Sequence, residues 1–149
     1  MKTRFLIGLA LLALVALVGW TLPTEASKQV EAPEQVVTGF YDWYLGYIGE
    51  RENMRNPLVE RAYRDSEYLS DAFIHQVDAV LDSFDKSAYD PFLLAQDIPE
   101  RITVGENVLS GDKARVIVHM FWGGNPTPSE RTVTVKLNDG QWEIVDIES

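Results

Sequence analysis

The chain contains no cysteine. That absence excludes disulfides, thiolate catalysis, thiolate-ligated zinc, iron–sulfur clusters and a lipid-modified cysteine. Histidine is nearly as scarce. His75 and His119 stand far apart and form no His-x-x-x-His or His-x-His spacing, so nothing argues for a metal, and no cofactor is implied. Basic residues are outnumbered, with 13 Lys and Arg against 23 Asp and Glu and a formal charge of −10. A general nucleic-acid binder needs a basic footprint, and this chain has none. There is no Ser-His-Asp signature, no phosphate-cradling glycine loop and no glycosidase-type carboxylate pair that the sequence places together. Internal repeats and low-complexity stretches are also missing.

What is present begins with a leader. Lys2 and Arg4 precede an unbroken apolar run over residues 5–18, followed by Gly19, Trp20 and a small-residue exit at Thr24-Glu25-Ala26. A short positive start, an apolar stretch of ~7–15 residues and an A-x-A-like exit make residues 1–26 a secretory signal peptide. The alternative is an uncleaved N-terminal anchor. Extended to residue 22, the apolar stretch reaches the low edge of what spans ~30 Å of hydrocarbon, and Trp20 suits a membrane interface. Either way the positive start keeps the N-terminus inside and places the remainder outside the cytoplasm, periplasmic or extracellular. Loss of Lys2, Arg4 and Glu25 takes the charge from −10 to −11. Residues 27–32 read as a polar lead-in and residues 33–149 as a single domain, as the length of 149 residues and the 46 % apolar content suggest.

Helices come first along that domain. Pro33 suits a first helical turn, and Val36, Val37, Phe40, Tyr41, Tyr44, Leu45 and Ile48 recur at helical spacing until Gly49. Gly39 and Gly46 fall on one side, where another element can pack closely. After a charged break, Pro57 opens a short helix through Arg64, with Leu58 and Ala62 inward. Ser70 caps a third helix whose apolar face is Phe73, Ile74, Val77, Val80, Leu81 and Phe84, opposed by Asp71, Asp78, Asp82 and Asp85. A long connection follows over residues 85–99. The period then changes to two. Ile102, Val104 and Val108 alternate with polar residues. Residues 114–122 are apolar on both sides and read as a central strand covered on both faces. Val133, Val135 and Leu137 alternate, Asn138-Asp139-Gly140 makes a hairpin turn, and a last strand runs from Trp142 to about Ile147. The expectation is an α+β fold: three N-terminal helices packed on a curved antiparallel sheet of about four strands, forming a cone.

That order of elements resembles the nuclear transport factor 2-like fold. Particular segments resemble an exported bacterial family, domain of unknown function 3828: Phe40-Tyr41-x-x-Tyr44-Leu45, Tyr68-Leu69-Ser70, Asp90-Pro91-Phe92-x-x-Ala95-Gln96-Asp97 and Gly111-Asp112-Lys113-Ala114. The resemblance spans roughly residues 33–147, with the Asp90–Asp97 stretch its most specific part. It implies the cone-like fold and an exported location, and it implies no activity. Many relatives look like lipoproteins; lacking cysteine, this chain departs from them.

Candidate site residues fall into a few groups. Asp90-Pro91 fixes a turn, and Gln96 and Asp97 lie in an otherwise apolar stretch, tied into backbone bonds or aimed at a ligand. His119 shares a strand face with Ile117 and Phe121, while His75 points to the surface. Asp82, Asp85 and Asp90 lack calcium-loop spacing. Arg51, Arg55, Arg61 and Arg64 interleave with Glu50, Glu52, Glu60 and Asp65, which favours local ion pairs over an anion site. Trp43, Tyr44, Tyr47, Trp122 and Trp142, with Met120, serve core packing or line a pocket. The pocket candidates are therefore Trp43, Tyr44, Tyr47, Asp90, Gln96, Asp97, His119 and Trp122. The first functional reading is a non-catalytic exported module that binds a small ligand or a protein partner. Its alternative is a small hydrolase, isomerase or dehydratase with Asp97 as general base, Tyr44 as acid and His119 nearby. The membrane enters only through residues 5–22, if these are retained. Ile117, His119 and Phe121 also suggest a homodimer through the outer sheet face.

N-terminal sequencing of the exported protein is expected to begin at Ser27. A chain that begins at Met1 and sediments with membranes establishes the anchor instead.

Overall fold

The computed structural model describes residues 30–49, 55–83 and 89–149. The leader, Arg51, Phe84 and Asp85 lie outside the described residues. Among those described, no helix is long and apolar enough to cross a membrane.

The first helix, α1, runs Pro33–Gly49. Pro33 fills a position whose N–H would have no helical partner, and the Gln35 side chain reaches back to accept the Ala32 N–H at 3.0 Å. Its apolar stripe emerges as read: Val36, Val37, Phe40, Tyr41 and Tyr44 are buried. The second helix, α2, runs Asp71–Ser83. Ser70 caps it, its Oγ accepting the Phe73 N–H at 3.2 Å. Phe73, Ile74 and Val77 face inward.

The segment expected to be a helix from Pro57 to Arg64 is not one. Residues 57–61 are turns, and a 3-10 helix covers only Ala62–Asp65. Arg61 is the reason: its φ of 55° is left-handed and ends any α-helical run. The local phase therefore changes, and Tyr63, not Ala62, is fully buried. Two α-helices and a 3-10 turn stand where three helices were expected. Close packing at Gly39 is present, since a Cβ there would meet the Tyr68 ring at 2.9 Å, whereas nothing lies within 4 Å of Gly46.

The sheet is a four-stranded antiparallel meander, β1 (Arg101–Ser110), β2 (Lys113–Phe121), β3 (Ser129–Asn138) and β4 (Gln141–Glu148), in that order. The β3–β4 turn uses left-handed Asp139 (φ 49°) and Gly140 (φ 81°), as the Asp-Gly pair requires. β2 is not covered on both faces. Ala114, Val116, Val118 and Met120 are buried, while Arg115, Ile117, His119 and Phe121 stand on the outer face. The outer apolar pair needs no second layer: the Arg101 guanidinium lies 3.7 Å over the Phe121 ring, and Ile117 sits beside its pair Thr132. Val108 does not share the face of Ile102 and Val104. The ladder slips between Val104 and Asn107, so Gly105 and Glu106 form a bulge that turns Asn107 inward and Val108 out, where it is 68 % exposed.

One apolar face of the sheet thus meets α1 and α2. Val36, Val37, Phe40, Tyr41 and Tyr44 close against Val116, Val118, Met120, Val133, Val135 and Ile144 in one core. Each fully buried side chain of this size contributes about 1.5–3 kcal/mol by removal from water. The segment before α2 is stitched to β4: Ile144 N–H donates to Tyr68 O at 2.8 Å, and Ser70 N–H donates to Ile144 O at 3.0 Å.

The aspartate face of α2 differs from a simple solvated face. Asp78 accepts from Arg61 Nη1 at 2.9 Å, from Arg64 Nε at 3.1 Å and from the Tyr63 hydroxyl, and Arg61 Nη2 reaches Asp82 at 2.6 Å. Arg61 and Arg64 therefore pair across to α2 rather than with their sequence neighbours. The Tyr63 hydrogen bond, followed by those of the two arginines, holds the Asp78 carboxyl down at about 2. A depressed folded-state value means that Asp78 supports the fold above its ordinary range near 4 and withdraws that support as pH falls towards 2. Urea unfolding across pH 2–7 is expected to show stability falling below about pH 4. Asp78→Asn is expected to flatten that acid limb while lowering stability at pH 7.

Candidate functional site

The most tightly organised group of polar side chains is the loop after α2. Asp90 opens it. Its backbone N–H bonds Ala95 O at 2.8 Å, and its own carbonyl accepts the Leu94 N–H at 2.7 Å. Its carboxylate turns back on the same loop, Oδ1 accepting the N–H groups of Phe92 at 2.8 Å and Leu93 at 3.1 Å. This is the short-range bonding that Asp favours before Pro. Oδ2 accepts the Tyr44 hydroxyl at 2.5 Å. From α1, Tyr41 donates to Phe92 O at 3.0 Å. From β3, Arg131 donates through Nε to Leu93 O at 3.1 Å and through an Nη to Leu94 O at 3.3 Å.

Phe92 fills the centre of this cluster, edge-on to Phe40, Tyr44, Tyr63 and Phe73 with ring centroids 5.2–6.1 Å apart. Burial pushes the Asp90 carboxyl up, while the Tyr44 and backbone hydrogen bonds oppose the rise. Burial and the adjacent Asp90 charge push the Tyr44 phenol far above its ordinary range, and burial does the same to Tyr41. A phenol held this way is a fixed hydrogen-bond donor. It is not an acid poised for transfer at neutral pH.

The other candidate residues lie apart from this cluster. Gln96 and Asp97 are exposed, and Asp97 contributes only its backbone carbonyl, which accepts the Trp122 indole N–H at 3.4 Å. Asp97 and Tyr44 therefore do not meet, since the Tyr44 hydroxyl is committed to Asp90. His119 stands on the outer face, its Nε2 3.1 Å from Glu130 Oε1, on the far side of the sheet from Tyr44. Trp43 and Tyr47 lie together at the half-buried edge of α1, 5.8 Å between rings. Tyr47 donates to Glu60 at 2.7 Å, and Arg55 packs over its ring at 4.2 Å. Trp142 and Met120 belong to the core.

Reading the sequence missed Tyr41, Tyr63, Phe92 and Arg131. Arg131 had a usable signal: it precedes Val133 by two in an alternating strand, which puts it on the inner face. Among the described residues no buried side-chain polar atom lacks a hydrogen-bond partner, and no three His, Asp or Glu are grouped to hold a metal.

Between α1 and the sheet the described side chains pack in one buried cluster. Hollows lie elsewhere. One, of about 210 Å³, is lined by Glu31, Val36, Glu67, Tyr68, Gly140, Gln141 and Trp142, where the start of α1, the turn before α2 and the β3–β4 hairpin meet. A shallower one, of about 460 Å³, lies across the sheet between Val108, Arg115, Thr134 and Asp146.

No known family matches the chain, and no curated protein matches it. Solved structures do. In the crystal structure of the native type VI effector–immunity complex Tae3–Tai3 from Ralstonia pickettii, one chain is 24 % identical, with a TM-score of 0.63 over 79 % of this chain and 94 % of that one. In the selenomethionine form of the same complex the figures are 23 %, 0.61, 79 % and 96 %. Likeness at this level is a likeness of fold, and it extends over nearly the whole of the matched chain.

Asp90→Ala leaves two loop N–H groups and the Tyr44 hydroxyl without a partner and is expected to cost about 3 kcal/mol in urea unfolding. Asp90→Asn retains an oxygen for the loop and an amide that can donate to Tyr44, and it removes a charge that burial disfavours. It is expected to fall within about 1 kcal/mol of the parent. Equal losses for the two variants contradict the clamp.

Proposed function

We propose that this chain is a non-catalytic, exported immunity-type module that binds and blocks a protein effector. The observation carrying the reading is its likeness to a chain of an effector–immunity complex, combined with an interior in which the polar groups are already committed. An effector needs a nucleophile or an acid–base pair open to substrate. Here the buried candidates, Asp90, Tyr44 and Tyr41, are bonded to the protein itself, and Asp97 and His119 lie apart from them. A blocking partner needs only a stable surface of complementary shape and charge. The signal-like leader supports export, so that the module would meet its effector outside the cytoplasm. Membership of the domain of unknown function 3828 family and the cone-shaped nuclear transport factor 2-like fold belong to the same proposal. The helices-on-meander architecture and the Asp90-Pro91-Phe92-x-x-Ala95-Gln96-Asp97 segment that carries the resemblance support them. Self-association through the outer sheet face is its lesser part, resting on Ile117, His119 and Phe121 beside exposed Val108.

The test is contact-dependent competition. A producing strain lacking this gene is expected to be killed by sister cells whose type VI secretion is active, and to recover when the chain is expressed with its leader. Expression without residues 1–26 is expected not to protect. Equal survival of the deletion strain and its parent overturns the reading.

A further inference from the structure

Most of the excess negative charge of this chain is spread over exposed side chains, but two carboxylates face an aromatic hollow. Glu31, just before α1, and Glu67, just before Tyr68, border the hollow of about 210 Å³, whose lining includes the aromatic residues Tyr68 and Trp142. Neither glutamate side chain makes a hydrogen bond or ion pair among the described residues. The contrast with α2 is direct. Asp78 and Asp82 are neutralised by the chain's own Arg61 and Arg64, while among the described residues no basic side chain pairs with Glu31 or Glu67.

The hollow is built rather than incidental. Tyr68 is fixed from behind by Gly39, whose missing Cβ leaves room for the phenol against α1. The main chain at Tyr68 is bonded to Ile144 of β4, and Gln141 Nε2 donates to Glu67 O at 3.2 Å, tying the hairpin to the turn. Trp142, next along β4, is buried in the core apart from the edge it contributes to this lining, so it is held in place. Burial and then the charges of Glu67, Glu31 and Asp42 push the Tyr68 phenol up, in keeping with a negative potential over the ring.

Carboxylates beside aromatic faces recognise one chemistry well. A guanidinium is planar, stacks on aromatic rings and bonds carboxylates through paired N–H groups. We propose that the hollow between Glu31, Glu67, Tyr68 and Trp142 receives an arginine side chain of the protein that this module binds. The overall charge of −10 complements a basic partner and would steer it towards such a site. Identifying the source of the arginine as a protein rests on the function proposed above. The recognition chemistry stands without it.

Two measurements separate the two. In the first, the Trp142 indole N–H signal, assigned with Trp142→Phe, is followed by NMR during titration with N-acetyl-arginine amide or its neutral isostere N-acetyl-citrulline amide. A saturable shift with the arginine analogue, at least about tenfold weaker with citrulline, is expected. It is expected to weaken with salt, to vanish in Glu31→Gln/Glu67→Gln and to persist in the control Glu106→Gln/Asp139→Asn. Equal response to citrulline, or an undiminished response in Glu31→Gln/Glu67→Gln, overturns the proposal. Micromolar binding of free arginine assigns the hollow to a small molecule and overturns the protein source. In the second, the same double variant replaces the parent chain in the competition assay. Lost protection at unchanged thermal stability is expected. Full protection by the variant overturns the docking role while the immunity reading stands, and failure of the parent chain itself to protect overturns only the latter.

Discussion

The fold depends on one carboxylate. Asp90 lies where the chain leaves the helical layer for the sheet, and its two oxygens hold different parts of the molecule. Oδ1 closes the loop on itself through Phe92 and Leu93, and Oδ2 fastens that loop to Tyr44 in the middle of α1. With the turn so fixed, Phe92 is delivered into a nest of four aromatic rings, and the carbonyls of Leu93 and Leu94 are presented to Arg131 on β3. Loop, helix and sheet are thereby held by mutually dependent bonds. Networks of this kind stabilise a unique arrangement when every member is satisfied, and they are costly when one is removed.

The distribution of charge follows a second rule. On one side of α2, basic side chains meet the acidic ones. Arg61 and Arg64 cross from the 3-10 turn to Asp78 and Asp82, and Tyr63 adds its hydroxyl. These bonds give the irregular segment 55–65 its place beside α2 despite the left-handed residue that interrupts it. Towards solvent the pairing is looser: Glu148 lies 3.9 Å from Arg115 and Asp112 lies 4.0 Å from Lys136, and acidic residues outnumber basic ones in the chain.

Much of this was legible in the residues. The 3.6-residue recurrence from Val36 to Tyr44 and from Phe73 to Val77 gave both α-helices, Ser70 announced its cap, and Asp139-Gly140 marked the hairpin. Elements with weak or misleading periodicity were not legible. A left-handed Arg61 has no sequence signature, so the helix drawn from Pro57 onward dissolves into turns. A bulge adds a residue without altering composition, so Val108 was assigned the wrong face. β2 is apolar enough to look covered on both sides, because apolar composition cannot distinguish a second layer from a stacked arginine and neighbouring strands. Within the Asp90–Asp97 stretch the two acids have opposite fates: one is enclosed by backbone donors, the other faces water. Only the three-dimensional position of Tyr44 distinguishes them.

The slip at Gly105 and Glu106 also shapes one border of the sheet. The two borders of the sheet are unequal: β4 is occupied by the strip from Tyr68 to Ser70, whereas among the described residues no strand lies beyond β1. A straight, apolar border would invite strands from other molecules to add on during refolding. Here the border is bent, places a glutamate at the bend and sends Asn107 inward to donate to Glu34 of α1 at 2.7 Å. Such a border is a poor template for fibril-like stacking. The irregularity that obscured the strand in the sequence therefore guards this border against edge-to-edge strand addition.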